Sequence, residues 1–230
     1  MEAGTNVLLV DDDAVAIPPT VHDLASFRAW TYEDDFPQSG RIDFVSGNIE
    51  VDMSPENVLF HSLPKTEVSR VIANTVKLRQ LGMVGIDRKR IASVPGDLSA
   101  EPDLVFIRYE TLKCGAVRLV PGAGKGPHDY IEIEGSPDLV VEIVSRSSVK
   151  KDMHRLPPTY FAAGVGEFWL VDVRPGCFLF QIHHRGDAAW APAPPREDGW
   201  QWSRVLDRWY RLEQHELPGG IWTYDLIERE

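Results

Sequence analysis

Two carboxylates stand where an ionised group is expensive. Glu142 interrupts Leu139-Val140-Val141-Glu142-Ile143-Val144, a Val- and Ile-rich run that follows a Gly-Ser-Pro break. Such a run reads as a strand buried on both faces in the middle of a sheet. Asp103 opens a second run of that kind, Pro102-Asp103-Leu104-Val105-Phe106-Ile107. A carboxylate there costs several kcal/mol unless a cation or several donors meet it. Two acidic groups on two buried strands therefore suggest one metal site. Mg²⁺ takes oxygen ligands and keeps several waters. Held by Asp103, Glu142 and the backbone carbonyl of Ile143, it would polarise a phosphate, help generate hydroxide and stabilise the leaving oxygen.

The elements that must position these groups follow along the chain. Residues 1–19 read as an N-terminal arm. Its Val7-Leu8-Leu9-Val10-Asp11-Asp12-Asp13 hints at a phosphoacceptor receiver domain, but the Pro18-Pro19 break leaves no room for one, so an acidic turn is expected. Thr20 is expected to cap a helix reaching Trp30, with Leu24, Phe27 and Trp30 on one face. Arg41 to Met53 alternates as a hairpin about Ser46-Gly47-Asn48; Asp43 and Glu50 fall out of its apolar phase and read as solvated. A helical pattern runs from about Glu56 to Leu81, carries His61 near its start and should kink or break at Pro64.

Met83 to Val94 reads as a strand interrupted by Arg88-Lys89-Arg90 and followed by a Pro95-Gly96-Asp97 turn. Residues 109–136 read as glycine-rich and polar, and the Gly122-Ala123-Gly124-Lys125-Gly126 loop lacks the spacing of a phosphate-binding P-loop. After the Glu142 strand, Ser147 or Ser148 can cap a helix. Pro157-Pro158 should interrupt that helix, and Gly164 should stop the restarted segment bearing Tyr160 and Phe161. Glu167 to Val173 is a third buried strand, paired with Cys177 to His183 across Arg174-Pro175-Gly176. From Trp190 onward, short aromatic strands and a last turn near Tyr224 read as the edge and cover of the sheet, so residues 20–230 read as a single domain.

Composition narrows the classes. A chain of 230 residues with 43% apolar and 26% charged residues and 17 prolines suits a globular α/β or α+β protein. No apolar run approaches the roughly 20 residues of a membrane span. The beginning lacks the layout of a secretion signal, and Cys114 and Cys177 form no metal motif, which places the protein in the cytoplasm. A net charge of −11 argues against tight non-specific DNA binding, although Arg88-Lys89-Arg90 and Lys150-Lys151 with His154 and Arg155 are local basic clusters.

Four blocks resemble a known family: Arg41 to Pro55, Glu101-Pro102-Asp103-Leu104-Val105-Phe106, Pro137 to Asp152, and Tyr160 to Asp172. Together they make the chain similar to the Uma-type putative restriction endonuclease family, a branch of the PD-(D/E)XK nuclease superfamily. The likeness covers nearly everything after residue 20. It implies an α/β (α+β) fold, restriction-endonuclease-like, with a mixed central β-sheet flanked by helices and an acidic pocket for Mg²⁺ or Mn²⁺. Asp103 matches the family's Pro-Asp aspartate and Glu142 its strand glutamate. His61 aligns with a histidine of the first long helix, Asp152 with an acidic residue beyond the glutamate, and Asp43 with a hairpin glutamate.

The chain departs from that pattern in its cations. The lysine of Glu-x-Lys falls at Val144, and the helix lysine common in the family falls at Leu156. Lys150, Lys151, His154 and Arg155 are the nearest replacements, and Lys151 is taken as the catalytic cation. Arg155 stays protonated and could stabilise charge but not act as a base. Loss of a catalytic cation would cost about 3–4 kcal/mol of barrier. The expectation is a Mg²⁺-dependent endonuclease that hydrolyses phosphodiester bonds in DNA with water as nucleophile, acting as a homodimer and without a membrane partner. The rival is a catalytically lapsed nuclease fold serving as a binding or assembly module; an RNA substrate is the third reading.

Overall fold

Alternating strands and two helices that each begin on Leu-Pro generate the architecture. The computed structural model describes residues 6–10, 15–122, 126 and 128–230. Strand β1 (Asn6–Val10) precedes helix α1 (Leu24–Trp30), the hairpin β2 (Arg41–Val45) and β3 (Asn48–Asp52), and helix α2 (Leu63–Leu78). Strands β4 (Gly82–Ile86), β5 (Arg90–Ser93), β6 (Leu98–Ala100) and β7 (Leu104–Arg108) lead to the short helix α3 (Tyr109–Lys113). Then come β8 (Val117–Pro121), β9 (Tyr130–Gly135), β10 (Leu139–Ile143) and helix α4 (Leu156–Ala162). The chain closes with β11 (Glu167–Asp172), β12 (Leu179–Arg185), β13 (Trp190–Pro192), β14 (Gln201–Ser203), β15 (Arg208–Leu217) and β16 (Ile221–Arg229).

The result is α+β with mixed sheets. A six-stranded sheet runs β13-β12-β11-β10-β7-β4, a seven-stranded sheet runs β1-β3-β2-β6-β5-β9-β8, and β14-β15-β16 form a three-stranded sheet. Within the six-stranded sheet β10 is parallel to β11, with α4 in the crossover, and antiparallel to β7. The pleat divides each strand between two cores. Leu139, Val141 and Ile143 of β10 join α2 and the three-stranded sheet, whereas Val140 and Val144 face α4 and the seven-stranded sheet. Helix α1 packs Leu24, Phe27 and Trp30 on the outer face of β2 and β3.

Several local expectations are corrected. Asp23, not Thr20, caps α1 in a reciprocal box with Ser26, because its carboxylate reaches the Ser26 amide at 2.8 Å. The helical pattern does divide beside Pro64, into a π-type turn at Val58–Ser62 and α2, whose first turn needs no N–H from that residue. Met83 to Val94 is two strands in different sheets, and residues 109–136 hold α3, β8 and β9. Neither Ser147 nor Ser148 caps the segment that follows, whose N-cap position Lys150 makes no side-chain bond; the Ser145 hydroxyl instead accepts from the Ser148 amide at 3.0 Å and closes the turn before it. Tyr224 lies inside the long strand β16, not in a turn. The Asp11–Asp13 turn and most of the Gly122–Gly126 loop lie outside the described residues. Among the described residues no helix is long and apolar enough to cross a membrane.

Candidate active site

The antiparallel pairing of β7 and β10 sets Leu104 against Val141, so the next step along both strands brings Asp103 opposite Glu142. The Ile143 amide closes the pair by donating to Asp103 Oδ2 at 2.7 Å. By the pleat, Glu142 shares its face with Val140 and Val144 and looks toward α4 and the seven-stranded sheet. Asp43 on β2 and Glu50 on β3 look back from that sheet. They lie out of phase with Ile42, Phe44, Ile49 and Val51, whose face α1 covers. Both are buried, which corrects the solvated reading: the second face of the hairpin is covered as well.

A wide, π-type turn at Lys151–Arg155 supplies that cover. Pro157 and Pro158 cannot donate to the preceding carbonyls, and Leu156 donates to Lys151, one residue beyond the usual α-helical spacing. The turn aims Lys151 Nζ at Asp43 Oδ2 (2.8 Å) and Arg155 at the Glu50 carboxylate. It also holds Asp152 against the Ser148 hydroxyl. From α4, the Tyr160 hydroxyl donates to Glu142 Oε1. A second π-type turn, Val58–Ser62, comes just before Pro64 and places His61 Nε2 3.5 Å from Asp103 Oδ2. Arg41 Nη2 donates to Asp103 Oδ1 at 2.9 Å, and Lys65 Nζ lies 3.9 Å from the same oxygen.

These contacts sort the carboxyls. Burial pushes Asp103 up, but Arg41 and His61, with Lys65 beyond, hold it far below the ordinary carboxylate range. Burial, then Asp152 and Asp103, push Glu142 well above its usual value. Burial carries Asp152 up to about 6 despite Lys151 and Ser148. Asp43 is lowered, because Lys151, Arg41 and Arg90 outweigh its burial. Although burial opposes it, the Asp103 carboxylate raises His61. Above this layer lies a pocket of about 320 Å³ lined by Arg41, His61, Asp87, Arg88, Ser145 and Ser147, among others.

The profile of the Uma2 family, described as "Putative restriction endonuclease", matches residues 24–213. The chain belongs to the Uma2 family. Among solved structures it resembles one titled as a putative nuclease belonging to DUF820 from Anabaena variabilis. The two share 17% sequence identity with a TM-score of 0.55, over 80% of this chain and 90% of that one. No curated protein matches the chain.

In this Uma2 member the site residues read from sequence converge unequally. Asp103, Glu142, Asp152, Asp43, Lys151 and His61 form one buried layer in which each carboxyl shifts its neighbours' proton affinity. Lys151 is not a free cation, being 5% exposed and spent on Asp43. Ile143 engages Asp103 through its N–H. Among the described residues no three His, Cys, Asp or Glu are grouped so as to hold a metal ion. Two buried carboxylate oxygens, Glu142 Oε2 and Asp152 Oδ1, have no hydrogen-bond partner, and such hard oxygens fit Mg²⁺. Sequence reasoning missed Arg41 and the bond from Tyr160. An arginine opening a strand is ordinary, whereas the Tyr160 helix falls inside a block shared with the family.

Proposed function

We propose that this Uma2 member is a Mg²⁺-dependent endonuclease hydrolysing phosphodiester bonds in DNA. One observation carries the reading: Asp103, just before β7, takes the Ile143 amide beside Glu142 on β10, both carboxyls are buried, and the oxygens Glu142 Oε2 and Asp152 Oδ1 lack a partner. Asp103, Glu142 and the Ile143 carbonyl would hold the ion, with Asp152 Oδ1 a further oxygen within the layer. Bound there, Mg²⁺ would supply Lewis-acid stabilisation of the phosphoryl oxygens.

The chain's own residues do the rest. Tyr160 holds Glu142 Oε1 and thereby orients Oε2. Asp43 and Lys151 brace the layer, and His61, whose Nε2 faces Asp103 Oδ2 at 3.5 Å and whose basicity that carboxylate raises against its burial, lines the pocket as the proton donor to the departing ester oxygen. Hydrolysis forms one bond from water oxygen to phosphorus and breaks one phosphorus–ester bond. One water proton goes to a layer carboxylate, for which Asp152 is suited by its value of about 6.

Titration calorimetry with Mg²⁺ on the wild type and Glu142→Ala, beside cleavage assays on single-stranded and duplex DNA and on RNA, tests this. Glu142→Ala should weaken Mg²⁺ binding ten-fold or more and abolish cleavage; unchanged affinity would sink the metal site. A second reading, a lapsed nuclease fold acting as a binding module, draws on Asp103 having both oxygens engaged by Arg41 and Ile143. It predicts no turnover with any divalent ion.

A further inference from the structure

We infer that Arg41 is the phosphate-gripping cation of this site, filling the role for which Val144 and Leu156 supply no lysine. The inference rests on the phosphodiester reading above and adds a residue to it. The cations around the acidic layer differ in how far they are already used. Lys151 has its ammonium on Asp43, and Arg155 sets two nitrogens on the Glu50 carboxylate. Lys65 bridges Glu56 at 2.6 Å and Asp87 at 2.9 Å. Arg90 is bonded to Glu101, to the Ile42 carbonyl and to Ser99.

Arg41 is different. Among the described residues its one side-chain hydrogen bond runs from Nη2 to Asp103 Oδ1. A guanidinium carries five N–H donors in a planar fork, so most of its donor capacity remains. Its side chain is 19% exposed, it lines the pocket, and none of its nitrogens is among the buried unpartnered atoms. The unused donors therefore reach the pocket. The acids on the same wall are already met: Glu56 and Asp87 by Lys65, Glu101 by Arg90, and Asp52 by the hydroxyls of Ser54 and Ser147. Asp87 Oδ1 also lies 3.9 Å from Arg41 Nη2, the nitrogen already on Asp103, which leaves the other nitrogens of the fork open. What faces the pocket is a fork of N–H groups suited to two oxygens of one phosphate, anchored to the aspartate that the reading assigns to the metal. A lysine, as a point charge, would lack that fork.

The test compares wild type, Arg41→Lys and Arg41→Ala in two assays. Cleavage of fluorescein-labelled oligonucleotides with Mg²⁺ or Mn²⁺ gives kcat and KM. Anisotropy titration of the same oligonucleotides with Ca²⁺ gives Kd, and thermal denaturation reports folding. Arg41→Ala should lower kcat by 10²-fold or more, with partial rescue by added guanidinium, and weaken oligonucleotide binding ten-fold or more. Arg41→Lys keeps a charge beside Asp103; it should fold as the wild type does yet lose at least ten-fold in kcat. If Arg41→Ala does not fold, Arg41→Lys decides alone, and wild-type kcat in it overturns the proposal. If the wild type cleaves nothing, the nuclease reading fails by itself. Binding then decides Arg41: equal Kd in wild type and variants, or no binding by the wild type, overturns its role, and a ten-fold weakening in the variants supports it.

Discussion

Asp43 and Lys151 come from elements 108 positions apart in sequence, yet they form a pair buried almost completely at 2.8 Å. Removing one partner from such a pair costs more than removing both, because the survivor is left charged in a medium that cannot solvate it. Lys151→Met should therefore destabilise by about 3–5 kcal/mol in urea denaturation. The double variant Asp43→Leu with Lys151→Met should recover most of that loss, which would mark Lys151 as a brace. The burial of Glu142 is legible in the sequence because it interrupts a Val-rich run, whereas Asp103, just ahead of its run, reads equally as a turn residue before a strand. Asp43 was misread as solvated, since alternation reports which face a residue takes and not what covers that face.

Two elements deliver site residues by the same device. At Val58–Ser62 and at Lys151–Arg155 a π-type turn runs into a helix that begins Leu-Pro. A proline near the start of a helix withholds a donor, and the turn before it widens by a residue. One widening presents His61, the other Lys151, Asp152 and Arg155. The prolines were visible in the sequence as breaks, but a break and a wide turn share one signature.

Cap chemistry gives a cleaner test at this scale. The Ser26 hydroxyl and then its amide hold the Asp23 carboxyl below its ordinary 3.8. The ionised cap thus stabilises the fold above that value, and its contribution is lost as pH falls through the lowered one. Asp23→Ala should cost about 1 kcal/mol near neutrality, and the gap from wild type should narrow as pH falls below 3.8 in chemical denaturation.

Across the whole molecule, the three-stranded sheet is joined to the site-bearing sheet by a shared core. Trp169 of β11 meets Tyr210 of β15 edge to face, with ring centroids 4.8 Å apart, and Leu206, Leu212, Tyr224 and Leu226 fill the same cluster. Glu167, at the start of β11, accepts from the Arg204 amide at 2.8 Å and from the Ser203 hydroxyl at 2.5 Å. Tyr210→Ala should cost about 3–5 kcal/mol, taking the Phe and Trp range. Tryptophan fluorescence and far-UV circular dichroism should report one coincident transition; separated transitions would show that the sheet unfolds on its own.

By itself the sequence determined the strands around Asp103 and Glu142, the mixed α+β class and the family, because apolar runs, breaks and local motifs are properties of neighbouring residues. Only the tertiary structure decided which cation meets which carboxylate. Lys151 is drawn to Asp43, Arg155 to Glu50 and Arg41 to Asp103, across separations that no local pattern encodes. Those pairings arise from two sheets closing on one layer, where each buried charge must find a partner across the gap or a neighbour that lets it keep a proton.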